Sequence, residues 1–566
     1  MSIKKPIRVG FDLDGVLLYN PVRIVRPIIS LLKKKKIIQR KEMQFFVPTR
    51  KWEMIFWRLF HKTSLFVSPG IKEIERLVKA GEIEAYVVTA RFKYLQPDTQ
   101  YWFNKFAKKK IFKTCYLNEK NEQPHLFKAR KIDELKLDYF VEDNWDIVQF
   151  LNKKFGQKKK IFWITNLVDN KKNYEYKFLS LQKIFKSLPN YKPKLLFFSP
   201  YFYPHKSGIT QYSLKMLSEI ANKYSITVLS FKFSARLKNF EYFNGLKIIR
   251  MPFLFYFKKG FISFQSIIYF FKNLINTDLV VVDYPNLEGL PLIIFAKLMR
   301  KKIVTAFHCK IQFETGLINY LIKKLLEFSA LVHLDLSDKV AVLADDYFYQ
   351  FSSYQKYSPK IKEIHPHFGS EKKDQLFFKK IKQQKKKNIW LGFVGRIASE
   401  KGIETLLKAL QKLPANHQLI IAGPSLVTGE NEYRKKVLKI VENQSARIIF
   451  FNDLNNNKLV SLFSLLDVLI LPSEKHTEAF GIVQLEAMEQ GIPVVASNLP
   501  GIRVPVLKTG LGMLFKPKDE FSLYKAIKQT LDKRQLKDKT KNIKKFNQIF
   551  SSKETVNQFL DLLRKI

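Results

Sequence analysis

Along most of this 566-residue chain, short apolar runs closed by turn residues alternate with stretches of helical spacing. In the last third the runs are Ile389 to Val394, Leu419 to Pro424, Arg447 to Asp453, Leu466 to Ser473 and Val494 to Ala496. Strand-length apolar runs separated by helical stretches are the pattern of a doubly wound parallel sheet. A second series opens at Lys194 to Ser213 with a buried strand, a loop and a helix, and continues through Ile303 to His308 and Asp338 to Asp346. A third lies at the start, in Arg8 to Leu17, Ala85 to Arg91 and Asp138 to Asp146. The length implies three or four units, each large enough for its own core. Junctions are expected near L-P-N-Y-K-P, Leu188 to Pro193, and in the lysine run Lys379 to Lys387. Phe546 to Ile566 has the apolar spacing of one amphipathic helix, through Phe550, Val556, Phe559, Leu560 and Leu563. No internal repeat of solenoid period is visible.

The richest segment is T-E-A-F-G-I-V-Q-L-E-A-M-E-Q-G-I-P-V-V-A-S, Thr477 to Ser497. Gly481 ends a loop, Ile482 to Gln490 has helical spacing, and Gly491 before Ile-Pro is a helix stop. A helix start therefore lies between Glu478 and Glu486. Free amides at Gly481, Ile482 and Val483 suit a diphosphate, because backbone donors and the helix dipole favour anionic oxygen there. Glu486 points back toward that end, within reach of sugar or ribose hydroxyls. Two glutamates at this spacing also occur on ordinary solvated helix starts. Upstream stands G-R-I-A-S-E-K-G, Gly395 to Gly402, which offers two cations.

These landmarks and their order resemble the retaining glycosyltransferases of family 4, which have the GT-B fold of two Rossmann-like domains. The resemblance implies that Arg396 and Lys401 hold the donor diphosphate, Glu478 orients the sugar, Glu486 holds the ribose, and no metal is used. It also implies a donor-binding role for Gly208 and a place near the transferred sugar for His308. Two departures stand out: Ser207-Gly208 replaces the usual glycine pair, and His367-Phe368 replaces the usual asparagine-glycine turn.

At the other end, R-V-G-F-D-L-D-G-V-L is an apolar run ending in Asp12 and Asp14, two carboxylates pointed into one site from a strand end. Thr89 ends another strand, Lys128 or its rival Lys131 offers a cation, and Asp143 closes a third. The set resembles the haloacid dehalogenase (HAD) superfamily of phosphohydrolases. That implies Asp12 as nucleophile and Asp14 as proton donor. Thr89 and Lys128 would bind phosphate, and Mg2+ would sit on Asp12, the backbone of Asp14, and Asp143. Tyr19 to Phe66 has the length and position of a helical cap.

Lys and Arg number 99 against 50 Asp and Glu, a net charge of +49. Nucleic acid, an anionic membrane surface and phosphorylated substrates could each exploit this, but Lys, Ile, Phe, Asn and Tyr are abundant together, as biased codon usage would produce. No nucleic-acid motif is found, so no specific nucleic-acid partner is expected. Phe253 to Ile275 interleaves aromatics and aliphatics with Lys258, Lys259 and Lys272, which suits peripheral contact with an anionic membrane or a packed helix with snorkelling lysines. Leu290 to Met299 is too short to span a bilayer and carries Lys297. With no signal peptide expected and only Cys115 and Cys309, the pattern suggests a cytoplasmic protein, at most peripheral to the inner membrane face.

The expectation is therefore an α/β chain: a HAD-like domain at 1–188 with a cap at about 19–66, GT-B halves at 194–378 and 388–545, and a tying helix at 546–566. Its function would be transfer of a sugar from a UDP- or GDP-sugar to a glycan or lipid-linked acceptor, fused to a magnesium-dependent phosphomonoesterase. The alternatives are a phosphatase fused to a non-catalytic sugar-nucleotide-binding module, and a basic scaffold for nucleic acid or membrane.

Overall fold

The computed structural model describes residues 5–19, 44–62, 66–107, 111–165, 172–189, 191–205, 207–257, 260–311, 316–366, 371–423, 431–442, 447–452, 454–475, 478–532 and 539–566. His367, Phe368 and most of the expected cap, 20–43, lie outside these residues. The chain forms two compact units, Met1–Lys192 and Pro193–Ile566.

The N-terminal unit is built on a six-stranded parallel sheet. Its strands are β1 (Ile7–Phe11), β2 (Ile83–Phe92), β3 (Cys115–Asn118), β4 (Tyr139–Glu142), β5 (Lys160–Ile164) and β6 (Lys177–Phe178), in the order β3-β2-β1-β4-β5-β6. Val9, Phe11, Val87 and Val141 are buried because helices cover both faces, so these strands read as apolar throughout. The order reverses beside β1, which opens a crevice at the carboxyl ends of β1 and β4. Leu18–Tyr19 pairs antiparallel with Phe66–Val67, a stem from which the 20–65 insertion departs. Within that insertion, α1 (Lys51–Lys62) is described, and α2 (Pro124–Glu134) precedes β4.

The C-terminal unit contains two further sheets. In its first subdomain the strands are β7 (Lys194–Phe198), β8 (Ser225–Phe231), β9 (Phe240–Phe243), β10 (Leu246–Met251), β11 (Leu279–Tyr284), β12 (Lys302–Phe307), β13 (Lys339–Val342) and β14 (Ile361–Glu363). Their order is β9-β10-β8-β7-β11-β12-β13-β14, with only the β9–β10 pair antiparallel. The helices that matter below are α3 (Gly208–Ile220), α4 (Gln265–Leu274), α5 (Leu290–Leu298) and α6 (Leu317–Leu336). Phe253 to Ile275 is not one helix. Phe255–Phe257 and Gly260–Ile262 make a hairpin before α4 begins.

In the second subdomain β15 (Ile389–Val394), β16 (His417–Gly423), β17 (Ile448–Asn452), β18 (Val468–Leu471), β19 (Val494–Ser497) and β20 (Gly512–Phe515) lie all parallel in the order β17-β16-β15-β18-β19-β20. The lysine run expected to link the subdomains is instead α7 (Gln375–Lys385) and part of the second one. Ile381 is buried in it, and Lys385 pairs with Asp467 at 2.7 Å while donating to the Leu465 carbonyl at 2.6 Å. The second subdomain thus starts before residue 378. Apolar residues of both subdomains, among them Tyr347, Phe348, Trp390, Phe480 and Leu485, belong to one continuous core.

The last stretch is two helices rather than one, α9 (Lys539–Ile549) and α10 (Ser552–Arg564), because Ser551 caps the second by accepting from the Glu554 amide at 3.3 Å. Phe546 and Phe550 enter the shared core, whereas Phe559, Leu560, Leu562 and Leu563 join Leu195, Phe197 and Met216 in the first subdomain. No described helix is long and apolar enough to cross a membrane.

Candidate active sites

In the N-terminal crevice, β1 delivers Asp12 and β4 delivers Glu142 and Asp143, all buried, with a carboxylate oxygen of each within 4.8 Å of the others. Lys128, from α2, stands between them with Nζ 2.9 Å from Asp12 Oδ2 and 2.6 Å from Glu142 Oε2. Lys131, one turn on, pairs with Glu134 at 2.6 Å, so of the two lysines it is Lys128 that stands among the buried carboxylates. Burial pushes the Asp12 carboxyl up to about 8, with Lys128 opposing and Glu142 and Asp143 adding. Burial likewise raises Glu142, again against Lys128. Glu142 was not singled out from sequence; the acidic pair at this strand end was the available signal. Its Oε1 also accepts from the amides of Asp143 (3.1 Å) and Asn144 (2.9 Å). Gly15, at φ +87°, makes room for Asp143, since a Cβ there would lie 2.2 Å from Oδ2.

Asp14 faces elsewhere. Both its oxygens accept from the Arg91 guanidinium, at 2.7 Å each, and His61 Nδ1 of α1 lies 3.4 Å away. Although burial acts to raise it, Arg91 and His61 hold this carboxyl well below the usual carboxylate range. The proton-donor role expected for Asp14 requires a protonated acid, and the bidentate arginine holds the opposite form. Its carboxylate is also outside the Asp12–Glu142–Asp143 cluster, so only its backbone is left to serve a metal there. Thr89 is buried within β2, where the pairing with β3 begins to shift register, and its Oγ1 accepts from the Arg91 amide at 3.3 Å. Arg91 and His61 were missed: the first sits two residues beyond a chosen threonine, and the second arrives from a distant helix.

In the C-terminal unit the expected residues come from both subdomains. Ser207 caps α3, and Gly208 opens it. A Cβ on Gly208 would meet Ile482 Cδ1 at 3.7 Å, so the two loops face each other in contact range. His308 follows β12, buried, with Nε2 2.9 Å from Asp283 Oδ1 at the end of β11; Asp283 Oδ2 accepts from Ser213 of α3 at 3.1 Å. Asp283 was not foreseen, though a carboxylate closing an apolar strand was visible. Arg396 and Lys401 lie in the loop after β15. Arg396 Nη2 pairs with Glu400 at 2.8 Å, and Lys401 pairs directly with Glu478. The two side chains assigned to the diphosphate and to the sugar are therefore each other's partners here.

Gly481 adopts φ +70°, where Leu471 Cδ2 would stand 2.4 Å from any Cβ. The following helix, α8 (Val483–Glu489), has seven residues, with Ile482 as its N-cap, and is shorter than the spacing suggested. The amides of Gln484 and Leu485 already donate to the Gly481 and Ile482 carbonyls, both at 2.9 Å. Gln484 fixes the segment from beneath, donating to the carbonyls of Phe480 (2.9 Å) and Ile502 (3.0 Å). Glu486 is half-buried; burial, with Glu489 nearby and Lys215 of α3 opposing, pushes its carboxyl up to about 7. Asp346 of the first subdomain accepts from the Gly501 amide and Arg503 Nε of the second, both at 2.8 Å.

Residues 374–547 match the family model described as Glycosyl transferases group 1. A curated relative, an uncharacterised glycosyltransferase of Methanocaldococcus jannaschii, is 33% identical over 141 residues, 25% of this chain and 35% of the relative. A glycogen synthase of Mycobacterium tuberculosis is 32% identical over 146 residues, 25% of this chain and 33% of that protein. The matched chain thus spans about a third of the length of these relatives. Among solved structures, Anabaena HepE in complex with UDP-glucose overlays with a TM-score of 0.53 at 19% identity, over 66% of this chain and all of that one. Together with the two largely parallel sheets, this overlap shows a GT-B arrangement of Rossmann-like subdomains.

Proposed function

We propose that the C-terminal unit, whose residues 374–547 match the group 1 glycosyl transferase model, transfers a sugar, with retention, from a nucleoside-diphosphate sugar to a glycan or lipid-linked acceptor. The observation that carries this reading is the meeting of Lys401 with Glu478 beside the opposed Gly208 and Ile482 loops. An entering diphosphate competes with Glu478 for Lys401 and recruits Arg396, placing two cations where charge grows as the glycosidic bond breaks. Glu478, released from that pair, turns to the sugar hydroxyls. Glu486 takes the ribose, the amides of Gly481 to Val483 assist the phosphates, and His308, set by Asp283, lines the sugar side. The UDP-glucose held by the structural relative makes UDP-sugars the first donors to try.

For the N-terminal unit we infer a magnesium-dependent phosphomonoesterase of HAD type. Its all-oxygen donor set suits a hard divalent cation, with Asp12, Asp143 and Glu142 as carboxylate donors and the Asp14 backbone completing the set. Such an ion would offset phosphate charge. Asp12 in its ionised form, which Lys128 favours against the burial that raises it, attacks phosphorus, Lys128 and Thr89 hold the phosphoryl oxygens, and an aspartyl-phosphate forms as the alkoxide departs. The ionised Asp14 suits the second half-reaction, accepting a proton from the attacking water; donating one in the first half requires the Arg91 pair to loosen.

The deciding experiment is release of nucleoside diphosphate from a panel of nucleotide sugars by wild type, Glu478→Ala and Asp12→Asn. Release by wild type and Asp12→Asn but not Glu478→Ala is expected. No release by wild type from any donor, with membrane extract added as acceptor, would leave a phosphatase joined to a binding module.

A further inference from the structure

The carboxyl ends of β8 and β10 open onto the same edge of the sheet as Gly208, Asp283 and His308, because β10, β8, β7, β11 and β12 are parallel. The segment after β8, Lys232 to Asn239, carries Lys232, Arg236 and Lys238 and no acid. It is held in place from both sides. The Lys232 amide donates to the Met251 carbonyl at 2.9 Å. Arg250, 1% exposed, donates from Nη1 to the Lys238 carbonyl at 2.9 Å and from Nη2 to the Tyr203 carbonyl at 2.8 Å. One buried guanidinium thus ties this segment to the loop that leads into Gly208. Rings join them too, with Phe233 5.8 Å from Tyr201 and 5.5 Å from His205. Lys232 is half-buried and Arg236 exposed, and among the described residues neither side chain has an ion pair or hydrogen bond. The cations of the second subdomain differ, since Arg396 pairs with Glu400 and Lys401 with Glu478. Two unpaired cations on a braced, acid-free loop suit an anionic group.

We propose that the acceptor is a sugar or polyol bearing a phosphomonoester, which the C-terminal unit glycosylates while it is phosphorylated and the N-terminal unit then dephosphorylates; this rests on the transferase and phosphatase readings above. The donor and the released nucleotide are both diphosphates. Of the molecules the transferase handles, only acceptor and product can therefore carry the monoester that the Asp12 crevice cleaves on the phosphatase reading. Two orders link the sites, with phosphate removed before transfer or after it. Lys232 and Arg236 favour the second, because a dephosphorylated acceptor offers them no anion. Transfer joins an acceptor hydroxyl oxygen to the anomeric carbon, breaks the bond from that carbon to the diphosphate, and sends the hydroxyl proton to the departing nucleotide. At the crevice Asp12 attacks phosphorus, the bond from phosphorus to the sugar oxygen breaks, and that oxygen takes up a proton. Water then splits the aspartyl-phosphate, releasing inorganic phosphate and restoring Asp12. Loss of the phosphate makes the glycosylation irreversible, and tethering raises the concentration of one site about the product of the other. A phosphoryl-transfer reaction outside this chain must supply the acceptor.

The test gives the full chain a donor that wild type cleaves, together with glucose, mannose and fructose 6-phosphates and glycerol 3-phosphate, each beside its unphosphorylated counterpart, and follows products by mass. Asp12→Asn should glycosylate a phosphorylated acceptor with kcat/KM at least about tenfold above the counterpart and accumulate the glycosyl phosphate. Wild type with Mg2+ should convert that isolated product to glycoside and inorganic phosphate, and Asp12→Asn should not. Lys232→Ala with Arg236→Ala should raise KM for the phosphorylated acceptor by about tenfold or more. Lys528→Ala, which removes an exposed lysine of the second subdomain, should leave that KM as in wild type. Inorganic phosphate should compete with the phosphorylated acceptor in wild type and lose this effect in the double variant. Neither Lys232 nor Arg236 is buried, so unchanged thermal unfolding serves as the folding control. Transfer to the counterparts as good as to the phosphorylated acceptors would overturn the proposal, as would transfer to none of the panel or an unchanged KM in the double variant. A glycosyl phosphate left intact by wild type would overturn it too. Absence of any donor cleavage would sink the transferase reading and this proposal together, whereas donor cleavage with any of these failures sinks the proposal alone.

Discussion

Replacing Lys128 by methionine keeps the length of a side chain that is 2% exposed and removes its charge. Its ammonium lies 2.9 Å from Asp12 and 2.6 Å from Glu142. Above the value of about 8 to which burial raises the Asp12 carboxyl, that group is ionised, and at an effective dielectric of about 20 each contact is worth about 6 kcal/mol of gross attraction. Most of that is cancelled by taking three ions out of water, at several kcal/mol each. The variant keeps the desolvation of the carboxylates and loses the attraction, so a net loss of about 3–5 kcal/mol is expected. For a unit of this size that lowers the midpoint by about 10 °C. The measurement is thermal unfolding of the full chain in chelator at about pH 9, above the raised Asp12 value, followed by near-ultraviolet circular dichroism of Trp145 and Trp163, whose rings lie 4.3 Å apart in this unit. Adding Glu142→Gln removes one stranded charge and should recover about half the loss. Saturating Mg2+ should recover part of it too, because a divalent ion replaces the missing charge. A midpoint within about 2 °C of wild type would refute the picture of three ions held away from water.

Glu486 gives the pH dependence. Its folded-state carboxyl is raised to about 7 from an ordinary 4.5, so the folded chain binds this proton more tightly than the unfolded one. The resulting stability is fully present below about 4.5 and lost as pH rises to about 7, by roughly 2–3 kcal/mol; Glu486→Gln should flatten that fall in pH-resolved urea unfolding while weakening donor binding in calorimetry. Gly15→Ala forces a side chain onto Asp143 and strains a left-handed residue, at about 1–3 kcal/mol; phosphate release should fall at least tenfold while nucleotide-sugar cleavage persists. Asp346→Ala deletes acceptors for Gly501 and Arg503 across the two subdomains, one bond being to a charged group, and should lower the C-terminal unit's stability by about 2–4 kcal/mol in denaturant titrations.

What the sequence made legible was chemistry tied to strand ends. Asp12, Thr89, Asp143 and His308 follow apolar runs, and a parallel sheet sends all such ends to one edge. Partners supplied by packing were not legible. His61 reaches Asp14 across 47 positions of chain, and Arg91 shares a strand with Thr89 yet turns to a different carboxylate. The choice of Lys128 over Lys131 depended on how α2 is rotated against β4, which periodicity alone does not fix. Helical apolar spacing in α6 reads the same whether the stripe faces a core or the outside, so its exposure emerged only from the fold. The lysine run at 379–387 looked like a linker because its one buried anchor, Ile381, is outnumbered by charges.

The route of the final helices bears on how the chain is made. The first subdomain's strands end at Glu363, yet its core is completed by Phe559 to Leu563, which are synthesised about two hundred residues later. At about 5–20 residues per second, that is a wait of about 10–40 seconds on the ribosome. Through that interval Phe197, Met216 and Leu217 lack their covering helix, and the second subdomain is able to close first. Order of synthesis and order of folding are thereby uncoupled: the earlier-made half of the C-terminal unit is the later one to be finished. A nascent chain stalled after residue 532 should expose the Leu195–Leu217 surface to a protease or a chaperone, and one extended through α10 should not.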